Sequence, residues 1–256
     1  MARIIFVASG KGGTGKTTLT SNLAYALAQL NKKVYVIDGN LTTPHLSFYF
    51  GFSLAKNTLH DFLKGKASIK DIVYFHPSGV RVIPGSLSLE ELKDVETSRI
   101  TNLILGLIST ADFILIDGSA GIGRETVTSL NISDEVIIVA IPEITSLIDA
   151  IKISKLAKSL NKRVIGLVLN RVSKKMKKER LKKIVENFTG IKVIGCIPED
   201  KNVGLSILYR KPLLEVFPNS PFSLEAKKIA YSLVGKEFKY ESKSFFKGLV
   251  RKIFRL

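Results

Sequence analysis

Length, composition and charge exclude several classes of protein for this chain of 256 residues. Its single cysteine, Cys196, excludes a disulfide framework and a Cys-x-x-Cys metal or iron–sulfur site within one chain. No apolar run approaches the ~20 residues of a membrane-spanning helix, and the first residues lack the pattern of a secretory signal. The lone cysteine fits a reducing cytoplasm. The net charge of +17 is concentrated in residues 171–183 and 236–256, so we expect an anionic partner.

The first predicted element is a buried strand over residues 4–8, which leads into a glycine-rich loop. In this loop Gly10 is followed, after four residues, by Gly15-Lys16-Thr17, the spacing of a phosphate-binding P-loop. Such a loop surrounds phosphates with backbone N–H groups, while its lysine contacts the outer phosphates and its threonine hydroxyl ligates Mg²⁺. Apolar residues then recur at helical spacing as far as Leu30, so the helix N-terminus faces the phosphates. The predicted nucleotide-binding residues are Gly10, Lys11, Gly12, Gly13, Thr14, Gly15, Lys16, Thr17 and Thr18.

Strand and helix patterns then alternate along the chain, which is typical of a parallel sheet covered by helices. We predict strands over residues 33–38, 79–85, 113–118, 135–141, 163–169 and 193–197. We predict helices over residues 146–160, 177–188 and 224–234. The expected fold class is α/β, a single doubly wound, mainly parallel β-sheet flanked by helices as in P-loop NTPases, with a C-terminal amphipathic helix. Residues 1–235 are expected to form one ATPase domain.

Two of the predicted strands end in an aspartate, Asp38 and Asp117. Ligands of open α/β sheets bind at the carboxyl ends of the strands, so both carboxylates are candidates to hold Mg²⁺ together with Thr17. Asp117 follows four apolar residues, as the Walker B carboxylate does. The glycine-rich residues 118–123 and the segment 39–44 are candidate switch loops that sense a γ-phosphate. The structural alternative is that each aspartate only caps the turn that follows it.

A second lysine near the start of the loop, Lys11, makes this P-loop a deviant Walker A motif. With that motif, the aspartate segments and residues 142–146 and 197–200, the chain resembles the MinD/ParA family of ATPases over essentially its whole length. It is most similar to the membrane-associated members that position the division site. The resemblance implies ATP and Mg²⁺ as cofactors and a homodimer in which Lys11 contacts the phosphates held by the partner subunit. It also implies an adenine site formed by Asn170, Arg171, Pro198, Glu199 and Asp200.

The chain departs from the family pattern in the first switch segment. The family usually has Asp-x-Asp there, where the second aspartate is tied to activation of the attacking water, and this chain has Asp38-Gly39-Asn40. An amide can orient water by hydrogen bonding but cannot accept its proton as a carboxylate can. We therefore expect slow, dimer-dependent ATP hydrolysis, with Lys11, Lys16, Asp38 and Asn40 as the catalytic candidates.

The last fourteen residues predict an amphipathic helix, residues 243–256, joined to the domain by a tether over residues 236–242. At ~100° per residue the apolar side chains occupy one arc of the helix, and lysines and arginines occupy the opposite half. Aromatic anchors on a basic helix are typical of a segment that lies in a membrane interface. The alternative is a final helix packed on the domain or on a protein partner. The predicted membrane-contacting residues are Phe245, Phe246, Lys247, Leu249, Val250, Arg251, Ile253, Phe254 and Leu256.

Three functions follow as hypotheses. The first is an ATPase switch that dimerises with ATP, binds the inner face of the cytoplasmic membrane as a peripheral protein and positions other proteins for cell division or appendage placement. The second is a nucleoid-binding, ParA-type partitioning ATPase, because residues 171–183 hold eight basic residues and one acidic residue that suit DNA phosphates. The third is an ATP-binding membrane scaffold with little hydrolysis, motivated by Asn40. The basic block is equally consistent with lipid binding or a solvated surface, and the cargo or activator is unidentified.

Overall fold

A computed structural model describes residues 2–52, 54–88, 96–173 and 175–239 of the chain. Within these residues eight strands form one sheet in the order β3-β4-β2-β5-β1-β6-β7-β8. The strands are β1 Arg3–Ser9, β2 Val34–Asp38, β3 Tyr74–Phe75, β4 Arg81–Ile83, β5 Phe113–Ala120, β6 Glu135–Ala140, β7 Arg163–Val172 and β8 Val193–Pro198. All neighbouring pairs are parallel except β3 and β4, which confirms the mainly parallel sheet that the alternating pattern predicts.

Helices cover both faces of the sheet. They are α1 Lys16–Gln29, α2 Leu59–Leu63, α3 Ile69–Ile72, α4 Ile100–Leu107, α5 Arg124–Asn131, α6 Ile144–Ser159, α7 Lys178–Thr189, α8 Asn202–Leu208, α9 Leu213–Val216 and α10 Pro221–Leu233. Within the described residues, 3₁₀ turns occupy Leu46–Phe50 and Thr97–Arg99. No helix in the described ranges is sufficiently long and apolar to cross a bilayer.

The central strand β1 shows why the sheet is covered on both sides. Successive side chains of a strand point to opposite faces. Ile5 and Val7 accordingly pack in one apolar cluster with α1 and α10, whereas Phe6 and Ala8 pack in a second cluster with α4 and α6. Because both faces of β1 are buried, its sequence is a continuous apolar run instead of an alternating one.

The structure differs from the sequence predictions at two places in the sheet. The prediction that a loop begins at Gly118 is wrong, because β5 continues to Ala120 and pairs there with Ser9 of β1. Gly118 lies so close to the Phe6 ring that a Cβ atom would come within 2.2 Å of it, which explains a glycine inside this strand. The edge strand β3 was not predicted, since two residues carry too little pattern to detect.

The boundary between domain and tail remains a prediction. Helix α10 begins at Pro221 behind the capping residue Ser220, whose hydroxyl accepts a hydrogen bond from the Ser223 amide. Gly235 follows the helix with a φ of 68°, a left-handed conformation that favours glycine. Residues 240–242 of the predicted tether and the whole predicted amphipathic helix, residues 243–256, lie outside the described residues.

Candidate functional site

The glycine-rich loop joins β1 to α1, where sequence spacing places it. Gly13 and Gly15 have φ values of 77° and 87°, so the loop needs glycine at both positions. Gly15 also lies against the amide of Asn170, which would come within 2.1 Å of a Cβ atom. Asn170 Nδ2 donates a hydrogen bond of 2.7 Å to the Thr14 carbonyl oxygen, so this buried asparagine supports the loop from β7. The sequence did not reveal this support, because 156 residues separate the two partners.

Three side chains of α1 converge on the carboxylate of Asp117. Lys16 Nζ lies 3.0 Å from Asp117 Oδ1, and the Thr17 hydroxyl donates to Oδ2 at 2.7 Å. The Thr20 hydroxyl, which sequence reasoning missed, lies 3.1 Å from Oδ1. Lys16 and Asp117 are both buried, so their ion pair is poorly screened by solvent. Thr20 carries one sequence signal for this role, since it lies four residues after Lys16 on the same helix face.

Asp38 lies beside Asp117 in the paired strands β2 and β5. It is fully buried, and it accepts hydrogen bonds from the backbone amides of Leu46 at 2.9 Å and Asn40 at 3.3 Å. Burial, and then the negative charge of Asp117, raise the pKa of Asp38 from its ordinary value of 3.8 to about 8. Both effects favour the protonated form of Asp38 in the nucleotide-free protein, and a cation in this site would favour loss of the proton.

The raised pKa of Asp38 predicts how stability depends on pH without nucleotide and Mg²⁺. In the folded chain Asp38 keeps a proton that it loses above pH 3.8 in the unfolded chain. The contribution of this proton to the free energy of unfolding is therefore complete below pH 3.8 and is lost as the pH rises through about 8. We expect the free energy of unfolding to decline less steeply with pH in Asp38→Asn, by at most about 1.4 kcal/mol per pH unit, the slope for one proton. Urea unfolding of both proteins across this pH range measures the difference, and parallel curves would contradict the prediction.

Lys16 and Thr17, which contact Asp117, line a cavity of about 840 Å³. The P-loop forms one wall of the cavity. Other lining residues are Asn40, Thr42, Thr43, His45, Phe48 and Tyr49 after β2, Ser119 and Ala120 at the end of β5, Gly123, Arg124 and Glu125 after it, and Arg171, Val203 and Ile207. Val203 and Ile207 were not predicted, because single apolar residues on a short helix carry no signal for ligand contact. Thr14 lines the cavity, and its hydroxyl is buried without a hydrogen-bond partner among the described residues. An oxyanion ligand such as a phosphate would satisfy this orphaned donor.

Thr17, which lines the cavity, and the two aspartates buried beneath it also fit Mg²⁺. The Thr17 hydroxyl and the carboxylates of Asp38 and Asp117 supply only oxygen ligands, which is the chemistry that Mg²⁺ prefers. The described part of the chain holds no group of three or more His, Cys, Asp or Glu side chains placed to bind a metal. A metal here would depend on phosphate oxygens and water for most of its ligands, as Mg²⁺ does when it binds with a nucleotide.

Lys11 lies at the rim of the cavity, held by its own chain. Its Nζ donates to the Thr145 hydroxyl at 2.6 Å and lies 3.7 Å from Glu143 Oε2. The lysine side chain is 42% exposed, so this contact is open to solvent and screened. The predicted contact with phosphates of a partner subunit would require Lys11 to leave Thr145.

The first predicted switch loop contacts helix α5, which follows the second predicted switch loop. Glu125 Oε1 accepts hydrogen bonds from the Thr42 amide at 3.1 Å and from the Thr42 hydroxyl at 2.6 Å. The Asn40 side chain folds back on Thr43, since its Nδ2 donates to the Thr43 carbonyl at 2.6 Å and its Oδ1 accepts from the Thr43 amide at 3.1 Å. Asn40 lines the cavity, but this turn occupies the amide predicted to orient water.

The predicted adenine-site residues lie together beside the P-loop. A small cavity of about 50 Å³ is lined by Asn170, Arg171, Pro198, Glu199 and Asp200, joined by Gly15, Thr18, Val203 and Phe222. Arg171 has a φ of 53°, and its Nε lies 3.9 Å from Glu199 Oε2. Asp200 is buried and accepts hydrogen bonds from the amides of Asn202 at 3.0 Å and Phe222 at 3.2 Å. Its carboxylate therefore holds the fold of this wall together.

Comparisons with known proteins agree with this geometry. Residues 5–213 match the profile of the CobQ/CobB/MinD/ParA nucleotide binding domain. An ATP-binding protein of Methanocaldococcus jannaschii is 38% identical over 258 residues, 99% of this chain and 97% of the relative. The flagellum site-determining protein YlxH of Helicobacter pylori is 34% identical, covering 97% and 90% of the two chains. The septum site-determining protein MinD of Pyrococcus horikoshii, solved with Mg-ADP, is 32% identical with a TM-score of 0.85, covering 91% of this chain and 96% of that one.

Proposed function

Because this chain belongs to the CobQ/CobB/MinD/ParA nucleotide-binding family, we propose that it is a membrane-bound ATPase switch that positions other proteins. ATP and Mg²⁺ are its cofactors, in agreement with an ATP-binding relative and with a structural neighbour solved with Mg-ADP. In the proposed cycle ATP favours a homodimer, the dimer binds the inner face of the cytoplasmic membrane, and slow hydrolysis releases it. Relatives whose names describe site determination for flagella and septa support the positioning role.

The observation that carries this proposal is that Lys16 and Thr17, which line a large cavity together with Lys11, converge on the buried carboxylate of Asp117. Lys16 would exchange its contact with Asp117 for the outer phosphates, and Thr17 with the two aspartates would hold the metal. Bound Mg²⁺ would neutralise charge that develops on the phosphates during transfer. Asp38, losing its proton on binding, would become the carboxylate available beside the nucleotide.

Several exposed apolar residues near Lys11 support dimerisation through this face. Ile122 in the second switch loop and Ile144 and Ile148 on α6 are 44%, 70% and 40% exposed. Thr145, which holds Lys11, lies between the two α6 isoleucines. Apolar residues in the centre of a patch and polar residues around it are typical of protein interfaces. A partner subunit docked here would bury the isoleucines and bring its own Lys11 close to the phosphates.

Vesicle co-sedimentation with ADP or ATP tests the switch, comparing the full chain with a chain that ends at Ser242. The predicted amphipathic helix binds weakly as a single copy, whereas two copies on one dimer bind with multiplied avidity. We expect ATP to raise the affinity of the full chain for vesicles roughly a hundredfold, so that more of it sediments with them. The shortened chain should stay in the supernatant with either nucleotide. Binding that ignores the nucleotide, or that survives the truncation, would contradict the proposal.

Asn40→Asp tests why hydrolysis is slow. An aspartate can still accept from the Thr43 amide, but it cannot donate to the Thr43 carbonyl, so the turn that holds Asn40 should loosen. The new carboxylate would also be able to accept a proton from water. We expect turnover to rise roughly tenfold, below the full range of general-base effects because the loop must first rearrange. Phosphate release measures turnover, and an unchanged rate with intact dimerisation would contradict a role for Asn40.

A further inference from the structure

Helix α7 carries an exposed apolar pair that the nucleotide site does not use. Val185 is buried against the sheet and fixes the inward face of the helix. Ile184 and Phe188 are 55% and 50% exposed, and the four-residue spacing places them next to each other on one side of the helix. Met176, just before the helix, is 45% exposed as well. Large apolar side chains that share one exposed stripe are candidates for an interaction surface.

Positive charge adjoins this apolar pair. Arg180 and Lys183 are exposed on the outward side of α7, and no hydrogen bond or ion pair engages them within the described residues. The inward-facing Lys178 is occupied by Glu225 at 2.9 Å. Of the acidic residues on α7, Glu186 accepts from the Val193 amide at 2.8 Å, which leaves Glu179 as the exposed acid. The outward side of α7 is therefore apolar and cationic together.

We infer that the outward side of α7, formed by Arg180, Lys183, Ile184 and Phe188, is a second contact with an anionic lipid bilayer. This inference rests on the proposed membrane switch, and it assigns part of the binding to the folded domain. Basic residues beside exposed aliphatic and aromatic side chains match the chemistry of a bilayer interface, where headgroup charge overlies acyl chains. DNA phosphates would pair with the cations alone and would leave Ile184 and Phe188 exposed.

The topology places this surface at the end of the sheet from which the tail departs. α7 connects the parallel strands β7 and β8, so it runs against them and ends at their amino edge. α10 ends at the same edge, because the Arg3 guanidinium at the start of β1 donates to the Leu233 carbonyl. The exposed lysines Lys192, at the start of β8, and Lys236, after α10, add positive charge there. A bilayer held by the tail would thus meet the Phe188 end of α7.

The chain contains no tryptophan, which allows a direct test in the full-length protein. Phe188→Trp introduces one fluorescent reporter on α7, and Leu105→Trp introduces one on α4 at a residue that is 63% exposed. We add vesicles of equal parts phosphatidylcholine and phosphatidylglycerol, with ATP, to each variant. We expect the emission of the Phe188→Trp variant to shift to shorter wavelength and that of the Leu105→Trp variant to stay unchanged. An unshifted emission from Phe188→Trp protein that sediments with these vesicles would overturn the inference.

A double variant, Ile184→Ser with Phe188→Ser, measures the contribution to binding. Both residues are about half exposed, so the fold should tolerate the change, and unaltered ATP binding and urea unfolding verify this. We expect a roughly tenfold loss of vesicle affinity with the tail intact. If the chain ending at Ser242 loses binding while the double variant does not, the inference fails and the switch stands. If the truncated chain and the double variant both bind vesicles as tightly as the full chain, the inference and the proposed switch both fail.

A parallel DNA-binding experiment distinguishes a bilayer from DNA as the partner of this surface. Arg180→Gln with Lys183→Gln removes two cations and leaves the apolar pair in place. We expect this variant to weaken vesicle binding severalfold, because each basic residue near an anionic surface contributes about 1 kcal/mol before screening. Gel-shift titration with linear duplex DNA runs in parallel. Loss of DNA affinity without loss of vesicle affinity would overturn the inference in favour of a nucleic-acid surface.

Discussion

Replacing Lys16 with alanine is expected to abolish measurable ATP turnover and to destabilise the fold by about 3 kcal/mol or more. Lys16 Nζ lies 3.0 Å from the buried carboxylate of Asp117, and Asp38 lies in register beside it. Without the lysine, the buried carboxylate of Asp117 would remain beside Asp38 with no compensating cation. Breaking a buried ion pair by removing one partner leaves an uncompensated charge, which accounts for the loss of stability.

Lys228→Ala is the matched control for this prediction. Lys228 pairs with Glu225 at 3.1 Å but is 53% exposed, so its removal should cost about 1 kcal/mol or less. Urea unfolding of the nucleotide-free proteins measures stability, and phosphate release measures turnover. Equal unfolding free energies for the two variants would show that the Lys16–Asp117 pair does not stabilise the fold, and retained turnover in Lys16→Ala would contradict the proposed phosphate contact.

Replacing Lys11 with alanine is expected to separate nucleotide binding from dimerisation. In the single chain Lys11 contacts Thr145 and Glu143 at the rim of the cavity and does not approach Asp117. Its removal should therefore leave ATP affinity nearly unchanged while the ATP-dependent dimer is lost. Because turnover is proposed to require the dimer, we expect it to fall roughly hundredfold, the size of effect seen when one transition-state donor is removed. Fluorescent nucleotide titration and light scattering measure the two properties.

Thr145→Val provides the companion variant. It removes the hydroxyl that accepts from Lys11 at 2.6 Å and keeps the lysine itself. If that contact holds Lys11 away from a partner subunit, dimerisation with ATP should be retained or strengthened. An equal loss of dimer in both variants would indicate that the face around Thr145 matters and not the charge of Lys11. Loss of ATP affinity in Lys11→Ala would contradict the division of roles between the two lysines.

Sequence reasoning located the site well where local pattern and motif coincide. The apolar run of β1, the glycine spacing and the periodicity of α1 together placed the P-loop at residues 10–18, and the structure has it between the same two elements. The aspartates at the ends of predicted strands were placed correctly at the sheet's carboxyl edge, although β5 continues past Asp117 to Ala120. Local signals suffice here because a strand, a tight glycine turn and a helix each depend mainly on neighbouring residues.

The same reasoning could not supply contacts between distant segments. Asn170 was expected at the nucleotide base, and the structure also places its amide on the Thr14 carbonyl. Thr20 was missed as a partner of Asp117, and the link between Thr42 and Glu125 was not foreseen. No local pattern encodes these pairs, because each depends on which strands are neighbours and on their register.

By itself, then, the sequence determined that this chain is an α/β P-loop protein with a second lysine in the loop and two carboxylates at strand ends. Only the tertiary structure decided that Asp38 is buried against Asp117, which raises its pKa to about 8. Only the tertiary structure left Ile184 and Phe188 exposed on α7 while Val185 is buried. The physical reason is common to both: burial depends on what the rest of the chain packs against a side chain, and residue order alone does not specify that packing.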